Sequence, residues 1–592
     1  MSIIVQKFGG TSVADSKKIL AAARKAIRAQ MEGHQVVMVV SAMGKNTDTL
    51  VALAREINEE PPAREMDMLL STGEQVSVAL MAMAVHTLGH EAISFTGAQI
   101  GIVTDSTHGK ARIRSISTER MRQALDGGKI VIAAGFQGVD EAGNITTLGR
   151  GGSDTTAVAL AAVLGADACE IHTDVDGVYT TDPRIVPEAR RVERISYDEM
   201  LELSSAGAGV MHNRAIEFAK RFNVPVHVRA AYSDNPGTMI ANEPESREQN
   251  VCGCAKVRQE SRVTVLGVPD RPGAALTVFL KVAERNISMD MIVQNVSDEG
   301  RADISFTVPR DDLPNTLKAA EQAVAELGAE GVDYDDEVSK VSAVGLGMAR
   351  QTGVARQMFR ALAEREVNIE MITTSEIKIS VLVARAVRQE ALRTVHESFH
   401  LDTEPPVSTS SEPSHAARPA PSDAAEVAAR LQRMEELIIE DILLDEGQAR
   451  ITARGLSDKP GLAAHLFEQI AAAGINVDMI VQSKGRQGHA NITFTVPRDK
   501  VDAAMEVARK LAAELDCPEP VAVPEVAKLS IRGVGMKSHT GVARRVFQSL
   551  STAGINVDII STSEVRLNIV VDAAQGDRAR AVLEQEFADS RL

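Results

Sequence analysis

Five segments of this chain occur twice at one fixed spacing, and that repetition restricts the fold more than any other feature. Asp270-Arg271-Pro272-Gly273 returns 188 positions later as Asp458-Lys459-Pro460-Gly461. Met289-Asp290-Met291-Ile292-Val293-Gln294 returns at the same offset as Val477-Asp478-Met479-Ile480-Val481-Gln482, and Phe306 to Arg310 returns as Phe494 to Arg498. Thr352 to Arg356 matches Thr540 to Arg544, and Thr374-Ser375-Glu376 matches Thr562-Ser563-Glu564. Gap-free matches at one offset mean that a whole folding unit was duplicated. Each unit has two halves. Each half runs strand, Pro-Gly or Thr-Gly turn, amphipathic helix, Asn-Ile or Asn-Val, apolar strand. Val263 to Gly267, Gly273 to Arg285 and Ile287 to Gln294 form one example, and Gly345 to Ile372 contains a second. The second half of the chain therefore reads as four small βαββαβ modules, over residues 250–335, 336–402, 438–523 and 524–592.

Residues 403–437 separate the two copies. Pro405, Pro406, Pro413, Pro419 and Pro421 lie there among serines and alanines, a composition that cannot pack a core. Asp423 with Glu426 has capping-box spacing, and Val427, Leu431 and Met434 fall on one face of the helix it opens.

Residues 1–245 follow a different pattern, in which short apolar strands alternate with helices. Ile3 to Phe8, Val36 to Val40, Lys129 to Ala134, Cys169 to His172 and Val224 to Val228 read as buried strands, and Ser16 to Met31 and Gln75 to Leu88 as helices. This predicts an α/β domain with a mostly parallel sheet. Its densest chemistry is Thr147-Leu148-Gly149-Arg150-Gly151-Gly152-Ser153-Asp154. A glycine turn entering a helix presents free N–H groups and a positive dipole end to an anion. Arg150 adds a planar fork for a carboxylate or phosphate. Lys7, Gly9 and Gly10 sit at a second strand-to-helix turn, which can wrap phosphate oxygens or be a tight turn that needs glycine. Ser71-Thr72-Gly73-Glu74 opens an apolar helix, and Glu74 reads as a first-turn acid or as the partner of a substrate ammonium.

The net charge of −17 argues against a nucleic-acid surface or an anionic membrane. An apolar run of membrane-spanning length is not evident in the pattern. Cys169, Cys252, Cys254 and Cys517 do not make a disulfide framework, and Cys252-Gly253-Cys254 lacks the further ligands a metal needs. No metal-ligand set stands out, and the expected location is the cytoplasm.

Lys7-Phe8-Gly9-Gly10-Thr11-Ser12-Val13-Ala14, Ser71 to Glu74, Leu148 to Asp154, and Thr173 to Arg184 (T-D-V-D-G-V-Y-T-T-D-P-R) together resemble the aspartate kinase family, across about the first 240 residues. The resemblance implies the amino-acid-kinase fold, a three-layer α/β sandwich, and ATP-dependent phosphorylation of L-aspartate with Mg2+. It implies that Lys7, Gly9 and Gly10 cradle the ATP phosphates and that Asp154 organises Lys7. Ser41, Thr47 and Glu74 are then aspartate contacts, with Glu74 near the ammonium. Arg150 becomes the clamp on the α-carboxylate, with Gly152 and Ser153 beside it. Thr173, Asp174, Tyr179, Asp182 and Arg184 become nucleotide contacts. The sequence departs from the family at Gly209 and Asn213, where a lysine and a proline are usual, and Arg214 is a nearby basic residue able to substitute.

The four C-terminal modules resemble ACT domains, which implies amino-acid sensing and a homodimer or larger homo-oligomer formed through them. The expected effectors are lysine and threonine. The resemblance puts effector contacts at Asp270, Gly273, Ala274 and Gln294, and in the copy at Asp458, Gly461, Leu462 and Gln482. The second halves offer Thr352, Gly353, Asn368 and Ile369, then His539, Thr540, Gly541, Asn556 and Val557. The bland alternative at these positions is turn and cap chemistry. A kinase for a different amino acid and a catalytically weak sensor are the rival readings. A fused dehydrogenase is not expected, because Gly345-Leu346-Gly347 lacks dinucleotide-binding spacing.

Overall fold

The computed structural model describes residues 2–296, 300–350, 353–406, 437–484, 488–536 and 541–591. Thr352, His539, Thr540, most of the proline-rich linker and the helix expected after Asp423 lie outside the described residues.

The first domain is built on an eight-stranded sheet. Its strands lie in the order Arg194–Ser196, Thr238–Ala241, Val226–Ala230, Ala168–Thr173, Ile3–Phe8, Gln35–Val40, Ile130–Ala134, Ala92–Phe95. Every neighbouring pair is parallel except Val226–Ala230 with Thr238–Ala241. Helices cover both faces, which is why Val36 to Val40 and Ile130–Ala134, in the middle of the sheet, are continuously apolar. Ser16–Met31 and Ala63–Thr87 pack on one side through Ile19, Ala23, Val78 and Met81, and Gly152–Leu164 and Asn213–Phe222 pack on the other through Val158, Leu160, Ile216 and Phe218. The result is the three-layer α/β sandwich the resemblance implies. From Ile3–Phe8 the chain proceeds first to Gln35–Val40 on one side and later to Ala168–Thr173 on the other. This reversal leaves a crevice beyond the strands' carboxyl ends, where α/β sheets bind ligands.

A second, four-stranded sheet is not foreshadowed by the sequence pattern: Ile113–Ile116, Ile102–Thr104, Gln137–Val139, Ile145–Thr147. Its strands are only three or four residues long, too short to show a period. It delivers Leu148 and the glycine turn to the crevice.

In the second half, one twelve-stranded sheet runs through all four modules, and its end strands Asp290–Val296 and Ile559–Thr562 lie side by side. Two of its strands serve two modules each. Gly253–Pro269 pairs at its start with Lys340 to Val344 and at its end with Gly331 to Asp335, and Ile438–Ser457 repeats this on Val521–Val534. The middle of the assembly is a core of ten residues that form five pairs at the repeat offset of 188: Met291 and Met479, Val293 and Val481, Val338 and Val526, Met371 and Ile559, Leu382 and Val570. Lys340 with Asp290, and Lys528 with Asp478, repeat one buried ion pair. The duplication thus builds an internal pseudo-twofold axis, and each copy supplies half of the core.

Candidate active site

Lys7 Nζ and Asp154 Oδ1 meet at 2.6 Å across the crevice. Lys7 comes from the end of the central strand and Asp154 from the first turn of the helix Gly152–Leu164. Gly10 has no space for a side chain, since a Cβ would lie 2.6 Å from the Ala42 carbonyl oxygen. Gly151 caps the helix at φ 75° and Gly149 sits at φ 78°, a left-handed conformation that favours glycine. No side chain caps that helix; the Gly152 N–H donates to the Gly149 carbonyl at 3.0 Å, and the positive end of the helix dipole, at Gly152, Ser153 and Asp154, lies on the cleft.

Lys7, Ser41, Thr47, Glu74, Arg150, Gly152, Ser153 and Asp154 line one cleft of about 270 Å3. Separate sequence motifs point to each of these residues, and the fold brings them together. No motif points to Phe136, which also lines the cleft and holds φ at 69°, a strain that composition does not announce.

Of the two readings of Glu74, the first-turn acid fails. The helix begins at Ala63, so Glu74 lies in its middle and is not a first-turn acid. Gly73 has the look of a boundary but is not one. Glycine is needed there because a Cβ would come within 2.8 Å of the Ala42 side chain. Glu74 Oε1 accepts the Ala42 N–H at 3.1 Å, and Oε2 is buried with no protein partner. Burial raises its pKa to about 7 against the pull of the Ala42 hydrogen bond. By length and composition alone this helix could cross a membrane, although polar residues interrupt its apolar stretch. Its packed face carries Asp67, Ser71, Glu74 and Ser77, the pattern of a core helix that lines a polar site.

The expected nucleotide residues begin at Thr173, which ends the strand Ala168–Thr173, and continue in the segment after it. Asp182 accepts two hydrogen bonds from the exposed Arg184 guanidinium at 2.9 and 3.0 Å. Tyr179 donates to Asp176 at 3.0 Å, and the Thr173 hydroxyl donates to Asp174 at 3.2 Å. These residues do not line the cleft of Lys7 and Glu74. Thr180, in the middle of the segment, is buried against His396 of the second ACT-like module at 3.0 Å.

The departure at Gly209 has a conformational basis. Gly209 sits at φ 63°, where a side chain is strained. Arg214 does not take over a phosphate role. Its guanidinium donates to the carbonyls of Leu148 and Ala111, each at 2.7 Å, so it braces the glycine turn. His212 packs over Gly151, where a Cβ would meet its ring at 2.4 Å. Burial lowers the His212 pKa, with Asp154 opposing and Arg214 and Arg150 reinforcing the shift.

The C-terminal half reaches this segment through Glu202, a fully buried carboxylate on the helix Tyr197–Leu203. One oxygen pairs with Lys378 Nζ at 2.8 Å, and the other accepts the Glu564 N–H at 2.9 Å. Glu564 in turn accepts from Asn213 Nδ2 at 2.8 Å and from Ser205 Oγ. Lys378 and Arg566 are repeat mates, as are Glu376 and Glu564, and they have diverged. Lys378 and Glu564 contact the N-terminal domain, while Arg566 and Glu376 pair with each other.

The expected effector residues are redistributed. Asn556 of the fourth module donates to Asp270 of the first at 2.9 Å, and Asn368 of the second donates to Asp458 of the third at 2.8 Å. Asp270, Gly273, Ala274, Gln294, Asn556 and Val557 line one cleft, and Asn368, Ile369, Asp458, Gly461, Leu462 and Gln482 line its repeat mate. Each cleft therefore joins the first half of one copy to the second half of the other, and not the two halves of one copy. Pairing of Met371–Ser375 with Ile480–Lys484 enforces this crossing. Gly353 lies elsewhere, in a larger cleft between the second and third modules with Arg356 and Asp478, and Gly541 lines neither small cleft.

The amino acid kinase family model matches residues 2–230, and ACT domain models match 262–325, 341–399, 450–510 and 529–587. An aspartokinase of Mycolicibacterium smegmatis is 49% identical over 407 residues, 68% of this chain and 97% of the relative. An aspartokinase of Geobacillus stearothermophilus is 51% identical over 406 residues, 68% of this chain and 98% of the relative. Among solved structures, aspartate kinase from Synechocystis covers 100% of this chain and 98% of its own, at 38% identity and a TM-score of 0.52. E. coli aspartokinase III in complex with aspartate and ADP matches at 26% identity and a TM-score of 0.57, over 67% of this chain and 99% of its own. A second structure of that enzyme, with lysine and aspartate, matches with a TM-score of 0.53. The chain belongs to the aspartokinase family, with an amino acid kinase domain followed by four ACT domains.

Proposed function

We propose that the enzyme transfers the γ-phosphoryl group of ATP to the β-carboxylate of L-aspartate, giving 4-phospho-L-aspartate and ADP. The observation that carries this reading is the Lys7–Asp154 pair facing Glu74 and Arg150 in one cleft. The β-carboxylate is ionised at neutral pH and needs no general base. One of its oxygens bonds to the γ-phosphorus as the bond to the bridging oxygen of ADP breaks. Catalysis is then alignment and neutralisation of charge. Lys7 stabilises the phosphoryl oxygens, Asp154 keeps Lys7 pointed at them, and the side-chain-free turn at Gly9 and Gly10 lets the phosphates approach the backbone. Arg150 grips the α-carboxylate as a bidentate fork. Glu74 Oε2, buried and without a protein partner, takes the α-ammonium. Ser41, Thr47, Gly152 and Ser153 complete the aspartate contacts, and Thr173, Asp174, Tyr179, Asp182 and Arg184 take the nucleotide.

Among the described residues no cluster of three acidic, histidine or cysteine side chains forms a metal cage. Mg2+ is proposed to come with the nucleotide phosphates, where it would help to neutralise the phosphoryl charge.

Lysine and threonine are the proposed effectors, bound at the Asp270–Asn556 and Asp458–Asn368 clefts. The E. coli relative that binds lysine supports this reading. Asp270 or Asp458 opposite an ammonium, with the unpartnered Oε1 of Gln294 or Gln482 accepting from a further ammonium or hydroxyl donor, suits a free amino acid. A homo-oligomer is proposed as well, located in the cytoplasm, as four free thiols suggest. Steady-state ADP release with aspartate and with glutamate, with lysine and threonine titrated singly and together, tests the whole reading. Turnover of glutamate but not aspartate would overturn it.

A further inference from the structure

Asp67 is fully buried on the same helix as Glu74, two turns before it, and does not line the cleft. Its carboxylate is met by two separate segments. Thr147 donates its hydroxyl to Oδ1. Gly109 donates its N–H to both oxygens, at 3.0 and 3.1 Å, and His108 Nδ1 lies 2.7 Å from Oδ2. A carboxylate withdrawn from water persists only where such partners replace its hydration.

Both segments frame the turn that carries Arg150. Thr147 ends the strand that leads into it. The Gly109 carbonyl oxygen lies 2.9 Å from where a Cβ on Gly149 would sit, and the Ala111 N–H donates to the Thr147 carbonyl at 2.9 Å. Arg214 braces the far side through Leu148 and Ala111. One buried carboxylate therefore ties the helix that carries Glu74 to the loop that carries Arg150.

We propose that Asp67 is a positioning residue that sets the span between Glu74 and Arg150, and through it the amino-acid head group the cleft accepts. The inference rests on the roles assigned above to those two residues. In an α-amino acid one carbon separates the ammonium from the carboxylate. Both ends are gripped together only if the two protein groups are held at one spacing, and small errors in such spacing are costly.

The test uses the full chain with Asp67→Asn and Thr147→Val, and with Glu74→Gln and Arg150→Lys in parallel. Thr147→Val removes only the hydroxyl donor and keeps the test open if Asp67→Asn folds poorly. The expected result is a KM for aspartate raised about tenfold in both positioning variants, the loss of one hydrogen bond to a charged group. The KM for ATP should stay unchanged. So should the inhibition constant of succinate, which lacks the ammonium and needs only the carboxylate clamp. An unchanged KM for aspartate in Thr147→Val would overturn the inference, and so would a rise in the ATP and succinate constants in step with it. If Glu74→Gln and Arg150→Lys also leave the KM for aspartate unchanged, the role assignment itself is wrong. If they raise it while the Asp67 and Thr147 variants do not, only the positioning inference fails.

Discussion

Asn556 donates to Asp270 at 2.9 Å although 286 residues separate them and they belong to different copies of the duplicated unit. The same bond recurs between Asn368 and Asp458, from the opposite pair of copies. Each proposed effector cleft is thus a joint between copies, so ligand bound there can change how the copies sit against each other.

Asp270→Ala should weaken inhibition by the effector of the first cleft about tenfold or more, with Asp458→Ala doing the same at the second. The crossed geometry adds a sharper expectation. In double-mutant cycles on the inhibition constants, Asn556→Ala should couple to Asp270→Ala and be additive with Asp458→Ala. Coupling of Asn556 with Asp458 would contradict the pairing seen here.

Removal of the cation at the end of the central strand should abolish transfer without abolishing aspartate binding. Lys7→Ala is expected to lower kcat at least about a hundredfold, the scale for losing one preorganised charge stabiliser, with little change in the KM for aspartate. Asp154→Asn should lower kcat less, since Lys7 keeps its charge and loses its orientation. A rise in KM with unchanged kcat would reassign both residues to binding.

The carboxyl of Glu74 is raised by burial to about 7, so below neutral pH the substrate-free enzyme holds it protonated. The substrate ammonium favours the ionised form. Binding aspartate should therefore release a proton, and the KM for aspartate should rise by up to about tenfold per pH unit below 7. The sign for stability is the same as for any acid raised by folding. Its contribution is present below the unfolded value of 4.5 and is lost as pH rises through 7. Calorimetric titration at pH 6 in buffers of different ionisation enthalpy measures the proton release, and Glu74→Gln should abolish it.

Glu202 holds both copies, through Lys378 and the Glu564 N–H. Lys378→Met leaves a buried carboxylate short of its cation and should destabilise by about 3–5 kcal/mol. Pairing it with Glu202→Gln should restore most of that loss. If this joint carries the regulatory signal, the double variant binds lysine and threonine normally by calorimetry yet resists inhibition. Inhibition at the wild-type level with effector bound would exclude this route.

Much of the chemistry is legible in the amino-acid sequence. Lys7, Glu74, Arg150 and Asp154 stand out because glycine turns, charge and strand ends are local properties, and the cleft contains all four. The duplication is legible because identity at one offset needs no fold to be seen. Glu74 reads wrongly as a helix start because Gly73 resembles a boundary, and only the close approach of Ala42 explains why it is not one. Phe136, Asp67 and Glu202 give no signal, since burial, backbone strain and partners far along the chain are not properties of neighbouring residues.

The sequence by itself determined which pieces exist: a kinase domain with its charged cleft residues, and a regulatory unit present twice. It could not determine which halves meet. A strand with an open edge can pair with any equivalent edge, and after duplication each module has two chemically similar candidates. The tertiary structure decided between them, because the five repeat-related pairs from Met291 and Met479 to Leu382 and Val570 are buried together only when the two copies close around one axis. That closure carries Asp270 to Asn556, puts Lys378 and Glu564 on Glu202 of the kinase domain, and pairs their repeat mates Arg566 and Glu376 with each other.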